Sequence, residues 1–361
     1  MSESRQPALA PMQRDDLPVE VVSALRRSYS VGDWLSWERT PKGSSNVSFF
    51  VTTSSGRYVL RRSNPRKSAA AISFEVRLVD YLRKRGYPAP EVIKTRSGEG
   101  YAEHDGTLYV MTSFIPGSSY DPESPGHLLA AGRGLGLYHR LANDFSGPYV
   151  YRTMPDFTVI QPSIRHLAEI ERLAGRSLND KERRCLEDAF TCIRSQLIRV
   201  HRGMTESYRS LSKLVIQGSY GRSALIFDGD ALVGVVDYDR ATFEIRAIDL
   251  AYTVKAFCRI HDQQSGEYRV GLDYERCREL MTAYQEVEAL PKRELQALPL
   301  IFRGQRLLKV LNKCENFLRK NAIVPQETKD VRKLATMAER EAVRVRWLEE
   351  HSGDLVAVLA D

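Results

Sequence analysis

Residues Leu214–Asp239 read LVIQGSYGRSALIFDGDALVGVVDYD, and this stretch decides the fold. Three apolar runs, Leu214–Ile216, Ala224–Phe227 and Leu232–Val236, have the length and composition of strands. Asp228-Gly229 between the last two is a strong hairpin signal. A polar loop, Gln217–Ser223, joins the first run to the second, and Asp237-Tyr238-Asp239 follows the third at once. The flanking sequence patterns differently. Helical spacing runs through His127–Ala142, Arg165–Ala174 and Asp180–Arg202, then from Asp249 to about Glu350 with breaks near Gly266 and Pro291.

Working outward toward the N-terminus, the pattern changes again. Residues 1–17 are rich in Ser, Pro, Gln and Arg and read as a flexible lead-in. A short helix over Pro18–Tyr29 gives way to strands from Trp34. Val47–Val51 and Arg57–Arg61 form a hairpin about the turn Ser54-Ser55-Gly56. A helix follows over Ala69–Arg85, with Phe74, Leu78, Val79 and Leu82 on one face and Gly86 as its stop. Thr107–Thr112 is a further strand, closed by Ile115-Pro116-Gly117. The expected fold is α+β and two-lobed: a small β-rich lobe at 18–113, a large mostly helical lobe at 114–350 holding the hairpin, and a tail at 351–361. Such an outline suits a nucleotide held between lobes.

Composition narrows the class. With 361 residues, 42% apolar and 27% charged, the chain is an ordinary globular protein. The net charge of +7 is spread along helices that also carry acids, which favours a small anionic ligand over nucleic acid. No apolar run is long enough to span a bilayer, and Met1–Asp16 lacks the apolar core of a secretory signal. The five cysteines include no C-x-x-C pair, which argues against zinc and a disulfide framework. These features predict a cytoplasmic protein without membrane or nucleic-acid partners.

The candidate site starts from two polar segments. Lys42–Val47 joins two strands with small residues, so it is either a turn whose N–H groups approach phosphate oxygens or an ordinary polar hairpin turn. The segment 217–224 is the second.

Taken together with Gly86-Tyr-Pro-Ala-Pro90, Phe114-Ile-Pro-Gly117, Leu135-Gly-Leu-Tyr-His139 and Ile248-Asp-Leu-Ala251, these stretches resemble the aminoglycoside phosphotransferase and choline kinase superfamily, with its kinase-like fold. The type II homoserine kinase branch is the nearest. The resemblance covers roughly Gly32 to Leu318. It implies ATP and Mg2+ as cofactors and a small hydroxylated metabolite as acceptor. Ser44, Ser45 and Asn46 would approach the nucleotide phosphates. Arg61 would be the phosphate cation and Glu75 the carboxylate that positions it. Tyr109–Gly117, with Thr112 and Phe114, would offer backbone groups to an adenine. Asp237 would hold the metal, and Asp249 would fix the loop.

One part of the pattern is missing. Active members of the family have His-Gly-Asp in the loop and an Asn five residues after the Asp. Here Gln217, Ser219 and Ala224 occupy those places. Serine carries no negative charge at neutral pH, so Ser219 is a poor base, and Ala224 offers a metal nothing. Asp239, on the same strand face as Asp237 if the strand continues, is either a substitute base or a structural carboxylate paired with a nearby arginine. Ser219 itself is the other candidate base. His139 reads as a packed histidine. Arg222 either clamps an anion or faces solvent. Arg303, Arg306 and Lys309 either line the acceptor side or form a solvated basic face. Two functions therefore stand side by side: a phosphotransferase with an altered loop, or a pseudokinase that binds a nucleotide, a metabolite or a protein partner.

Overall fold

The computed structural model describes residues 17–41, 46–149, 161–174, 178–260, 271–323 and 327–360. Most of the lead-in, the turn residues Ser44 and Ser45, and the break near Gly266 lie outside the described residues. The chain divides into two compact units, one holding residues up to Gly117 together with Val233–Val236, the other Ser118–Leu232 and the chain from Asp237.

The first unit begins with helix α1 (Val19–Ser28), followed by strands β1 (Trp34–Arg39), β2 (Val47–Thr53) and β3 (Gly56–Arg62). Helix α2 (Ala69–Lys84) and the hairpin β4 (Ala102–His104) and β5 (Thr107–Ser113) complete it. The five strands form one antiparallel sheet in the order β1-β2-β3-β5-β4. Phe49, Val51 and Thr53 are buried at alternate positions of β2, and Leu60 of β3 joins Phe49 as a register partner. That face packs on Val22 and Leu25 of α1. Because side chains alternate across a strand, Arg61 points to the other face from Leu60. The hairpin of β4 and β5 turns at Asp105 and Gly106, both with positive φ (48° and 70°), which matches the twist of the strands.

Ser68 caps α2 by accepting the Ala71 N–H, and Phe74, Leu78, Val79 and Leu82 are all buried, as their spacing predicts.

The second unit opens with β6 (Ser118–Ser119) and helix α3 (Pro125–Asn143), followed by α4 (Gln161–Ala174) and α5 (Asp180–Ser207). Next come β7 (Lys213–Ile216), β8 (Leu225–Asp228), β9 (Ala231–Val235) and β10 (Thr242–Ile245). Strand β10 returns antiparallel to β7, pairing Thr242 with Ile216. The helices α6 (Ala247–Cys258), α7 (Tyr274–Gln285), α8 (Lys292–Ile323), α9 (Thr328–Glu350) and α10 (Ser352–Ala360) follow. Residues read as a tail at 351–361 therefore contain a helix, whose Leu355 and Leu359 are buried. Between α3 and α7 the approach is close: a side-chain carbon on Gly132 would lie 2.5 Å from the Leu280 carbonyl, and one on Gly136 would lie 2.8 Å from the Tyr284 carbonyl. Glycine at those two places lets α7 sit against α3.

Candidate functional site

In the first unit, the Glu75 carboxylate lies between two cations. The Arg61 guanidinium is bonded to one oxygen, and Lys67 Nζ meets the other at 3.0 Å. The glutamate side chain is only 8% exposed, the arginine 15%. Burial by itself pushes the carboxyl of Glu75 up, but the charges of Arg61 and Lys67 outweigh it and hold the group below the usual carboxylate range. Glu75 is thus an anion that fixes a cation on the sheet face. Lys67 was not foreseen, although a basic residue immediately ahead of the α2 cap was a usable signal. The Asn46 side-chain oxygen accepts the Asn64 N–H at 3.0 Å. Thr112 pairs with Val59 in β5 and bridges to Val92. Phe114 meets Phe50 edge-on at 5.6 Å, with the Arg57 guanidinium 4.4 Å from its ring centroid.

The loop of the second unit is tied down from below by one buried carboxylate. Asp249, at the start of α6, accepts the N–H of Gln217 at 2.7 Å on one oxygen and that of Gly218 at 2.8 Å on the other. His139 Nε2 lies 3.3 Å from the first of these oxygens, and its Nδ1 lies 2.9 Å from the Tyr284 hydroxyl. Burial drives Tyr284 well above the ordinary tyrosine range. An ionised carboxylate only accepts, so the neutral tautomer with its Nε2–H toward Asp249 leaves Nδ1 to accept the Tyr284 hydroxyl. His139 is 0% exposed and acts as a packed link, as its helical setting predicts. Tyr284 carries no sequence signal that would have found it.

Above the carboxylate, the loop closes on itself. Gln217 Nε2 donates to the Asp237 carbonyl at 2.8 Å, and Gln217 Oε1 accepts the Ser219 N–H at 2.7 Å. Ser219 Oγ also donates to the Asp237 carbonyl, at 3.2 Å. Gly218 sits at φ 79°, and a side-chain carbon there would lie 2.4 Å from the Arg240 carbonyl. Of the tripeptide, only this position demands glycine for steric reasons.

Asp237 is exposed and left-handed (φ 66°, ψ 59°), a conformation uncommon outside glycine. This overturns the premise offered for Asp239. Strand β9 ends at Val235, and Tyr238–Arg240 form a single 3-10 turn, so positions 237 and 239 do not share a strand face. Ala224 is 1% exposed and gives no ligand.

Two further expectations are corrected. Arg222 is half-buried rather than solvent-facing: it donates to the Phe257 carbonyl at 3.1 Å and lies 5.5 Å from the Tyr120 ring centroid. Arg303 pairs with Glu349 at 2.8 Å, while Arg306 and Lys309 approach Glu341 at 3.7 and 2.7 Å. These cations pair with carboxylates of α9, so the basic row on α8 is not a merely solvated face.

The model of a phosphotransferase enzyme family matches residues 36–286. The chain is 27% identical over 308 residues to a homoserine kinase from Methylobacterium sp. (strain 4-46), covering 84% of this chain and 87% of the relative. It is 26% identical to a homoserine kinase from Methylobacillus flagellatus, covering 77% and 78%. Among solved structures, amicoumacin kinase hAmiN, in complex with AMP-PNP, Ca2+ and Ami, superposes with a TM-score of 0.65 at 11% identity, covering 90% of this chain and 93% of its own. The microcompartment-associated aminopropanol kinase gives 0.64 at 17% identity, covering 93% and 99%. The two-lobed kinase-like fold with a small antiparallel sheet and a large helical part is thereby shared with these kinases.

Proposed function

We propose that this chain, which belongs to the phosphotransferase enzyme family, binds ATP with Mg2+ and phosphorylates a small hydroxylated metabolite slowly, through a loop that lacks the usual acid. The observation that carries this reading is the buried Glu75 carboxylate held between Arg61 and Lys67. A buried carboxylate between two cations fixes their positions, and cations so fixed suit an anionic ligand.

The residues present fit a metal that arrives on the nucleotide and do not fit one held by protein alone. Among the described residues no cluster of three His, Cys, Asp or Glu side chains is placed to hold a cation. Magnesium commonly takes one or two carboxylates and completes its shell with phosphate and water, and the exposed Asp237 supplies one. When bound, the metal would neutralise charge on the phosphates. Arg61 would contact a phosphate oxygen, with Glu75 keeping it in place. The acceptor proton meets no carboxylate at position 219, and Asp239 is the carboxylate nearest to Asp237 in sequence. Loss of a general base lowers rate by about a hundred- to ten-thousand-fold, whereas positioning and charge stabilisation survive.

A specific observation favours a second reading, a nucleotide-binding protein without transfer. The Ser219 hydroxyl proton is already donated to the Asp237 carbonyl. The oxygen keeps lone pairs for an acceptor hydroxyl, but a neutral serine cannot hold the proton it would have to take, as a carboxylate could.

The deciding experiment incubates the pure protein with labelled ATP, Mg2+ and amino alcohols, homoserine first, because both relatives described above bear that name. Transfer that disappears in Asp237→Ala supports the enzyme. ATP-dependent stabilisation without transfer supports the second reading. No effect of ATP with or without magnesium removes both.

A further inference from the structure

A second anion site lies away from the loop. Between helices α8 and α9 lies an open groove of about 510 Å³, lined by Lys309 on α8 and by Arg332, Thr336, Arg340, Glu341 and Arg344 along one side of α9. None of the residues lining it belongs to the loop at 217–219 or to the Asp237 turn.

Among the described residues with printed ion pairs, the charges here do not balance. At the outer end, Arg332 pairs with Glu182 at 2.8 Å, so its charge is met. At the inner end a single carboxylate, Glu341, serves several cations. Lys309 reaches it at 2.7 Å, Arg306 stands 3.7 Å away, and Arg344 is bonded to the same carboxylate. The Glu341 side chain is 1% exposed, so solvent screens this group weakly. Lys255 on α6 adds another positive charge within electrostatic reach of Arg306, Lys309, Arg259 and Glu341. Its own bond goes to the neutral side-chain oxygen of Gln305 at 3.1 Å. Counting only Lys255, Arg306 and Lys309 against Glu341 leaves two positive charges over. Burial first, then the repulsion of Arg306 and Lys309, pulls Lys255 down to about 8, as expected of a lysine held among cations.

We propose that the groove between α8 and α9 is a binding site for a small organic phosphate, whose two negative charges meet Lys309, Arg340 and the excess charge around Glu341. A phosphate group carries close to two charges at neutral pH and accepts several charge-assisted hydrogen bonds. A single carboxylate would leave part of the excess. The volume suits a phosphorylated metabolite, since small-ligand pockets run from about 300 to 1,000 Å³, and the Thr336 hydroxyl and the Met337 side chain offer polar and apolar contact for the rest of the molecule.

The test is thermal unfolding and calorimetric titration of the full chain with pyrophosphate, against sodium chloride at equal ionic strength. Pyrophosphate should stabilise the protein where chloride does not. The exposed Arg340→Glu and Lys309→Gln should each weaken binding about tenfold. Arg61→Ala and Asp237→Ala should leave it in place, which separates this site from the nucleotide reading. At pH 8 binding should also take up protons, measured in buffers of different ionisation enthalpy, because an anion raises Lys255 among Arg306, Lys309, Arg259, Glu341 and the Tyr252 ring. Stabilisation equal in chloride, or binding lost in Arg61→Ala but untouched by Arg340→Glu, would overturn the proposal. Tighter binding of polyglutamate than of pyrophosphate would overturn it in favour of an acidic protein partner.

Discussion

The side-chain amide of Gln217 donates to the main-chain carbonyl of Asp237 at 2.8 Å. The same amide accepts the Ser219 N–H with its oxygen at 2.7 Å, so one residue joins the loop to the turn that carries the metal-binding candidate. Gln217→Glu keeps the acceptor and replaces the donor with an oxygen facing the Asp237 carbonyl. Gln217 is 0% exposed, and the substitution should cost about 2 kcal/mol, read from urea denaturation. An unchanged midpoint would show that this bond does not hold the turn.

Restoring the acid tests the altered loop directly. Ser219→Asp with Ala224→Asn should raise phosphate transfer at least about a hundredfold over the unmodified chain. Ala224 is buried, so the asparagine should also lower stability by about 1–2 kcal/mol. Initial rates with labelled ATP and homoserine measure the first effect, and denaturation the second. No gain in a folded double variant would mean that the acceptor side has diverged beyond these two positions.

Glu75 gives a pH dependence of definite sign. Its folded carboxyl titrates below the unfolded value because Arg61 and Lys67 outweigh burial. Its contribution is therefore complete above the unfolded value of about 4.3 and is lost as pH falls through the lower folded value. Glu75→Gln should remove that part of the acid slope and lower stability at pH 7 by about 3 kcal/mol. It should also weaken ATP binding by about tenfold through Arg61. Denaturation midpoints from pH 3 to 7 measure the first two.

Lys255 has the opposite character. Its folded value is pulled down to about 8, below the unfolded value of about 10.4. The unfolded chain then binds more protons between these values, so stability should rise with pH across that window. Lys255→Met should flatten the rise and stabilise the protein at pH 7 by roughly 2 kcal/mol, after the lost Gln305 bond is allowed for. A destabilised variant at pH 7 would show that the charge is compensated in the folded state.

Elements with a strong period were readable in the sequence. The α2 face and the β2–β3 hairpin were both recovered, since each buries residues at the spacing that defines it. The loop-fixing role of Asp249 followed from the family resemblance, and the structure shows how it is done. What escaped was set by long-range packing. The left-handed turn at Asp237 has no local signature, and reading Asp237–Asp239 as a continuing strand misplaced Asp239. The basic row Arg303, Arg306 and Lys309 has the spacing of a helix face, but only the α9 carboxylates Glu341 and Glu349 decide where it points. Tyr284 lies 145 residues from His139, beyond the reach of any local pattern.

The missing side chains at Gly132 and Gly136 have a consequence well beyond the helix pair they separate. Tyr284 meets His139, His139 meets Asp249, and Asp249 carries the N–H groups of Gln217 and Gly218. The thickness of one helix contact thus acts as a gauge block for a loop that neither glycine touches. A methyl group at position 132 or 136 would be a loop mutation in everything but its address.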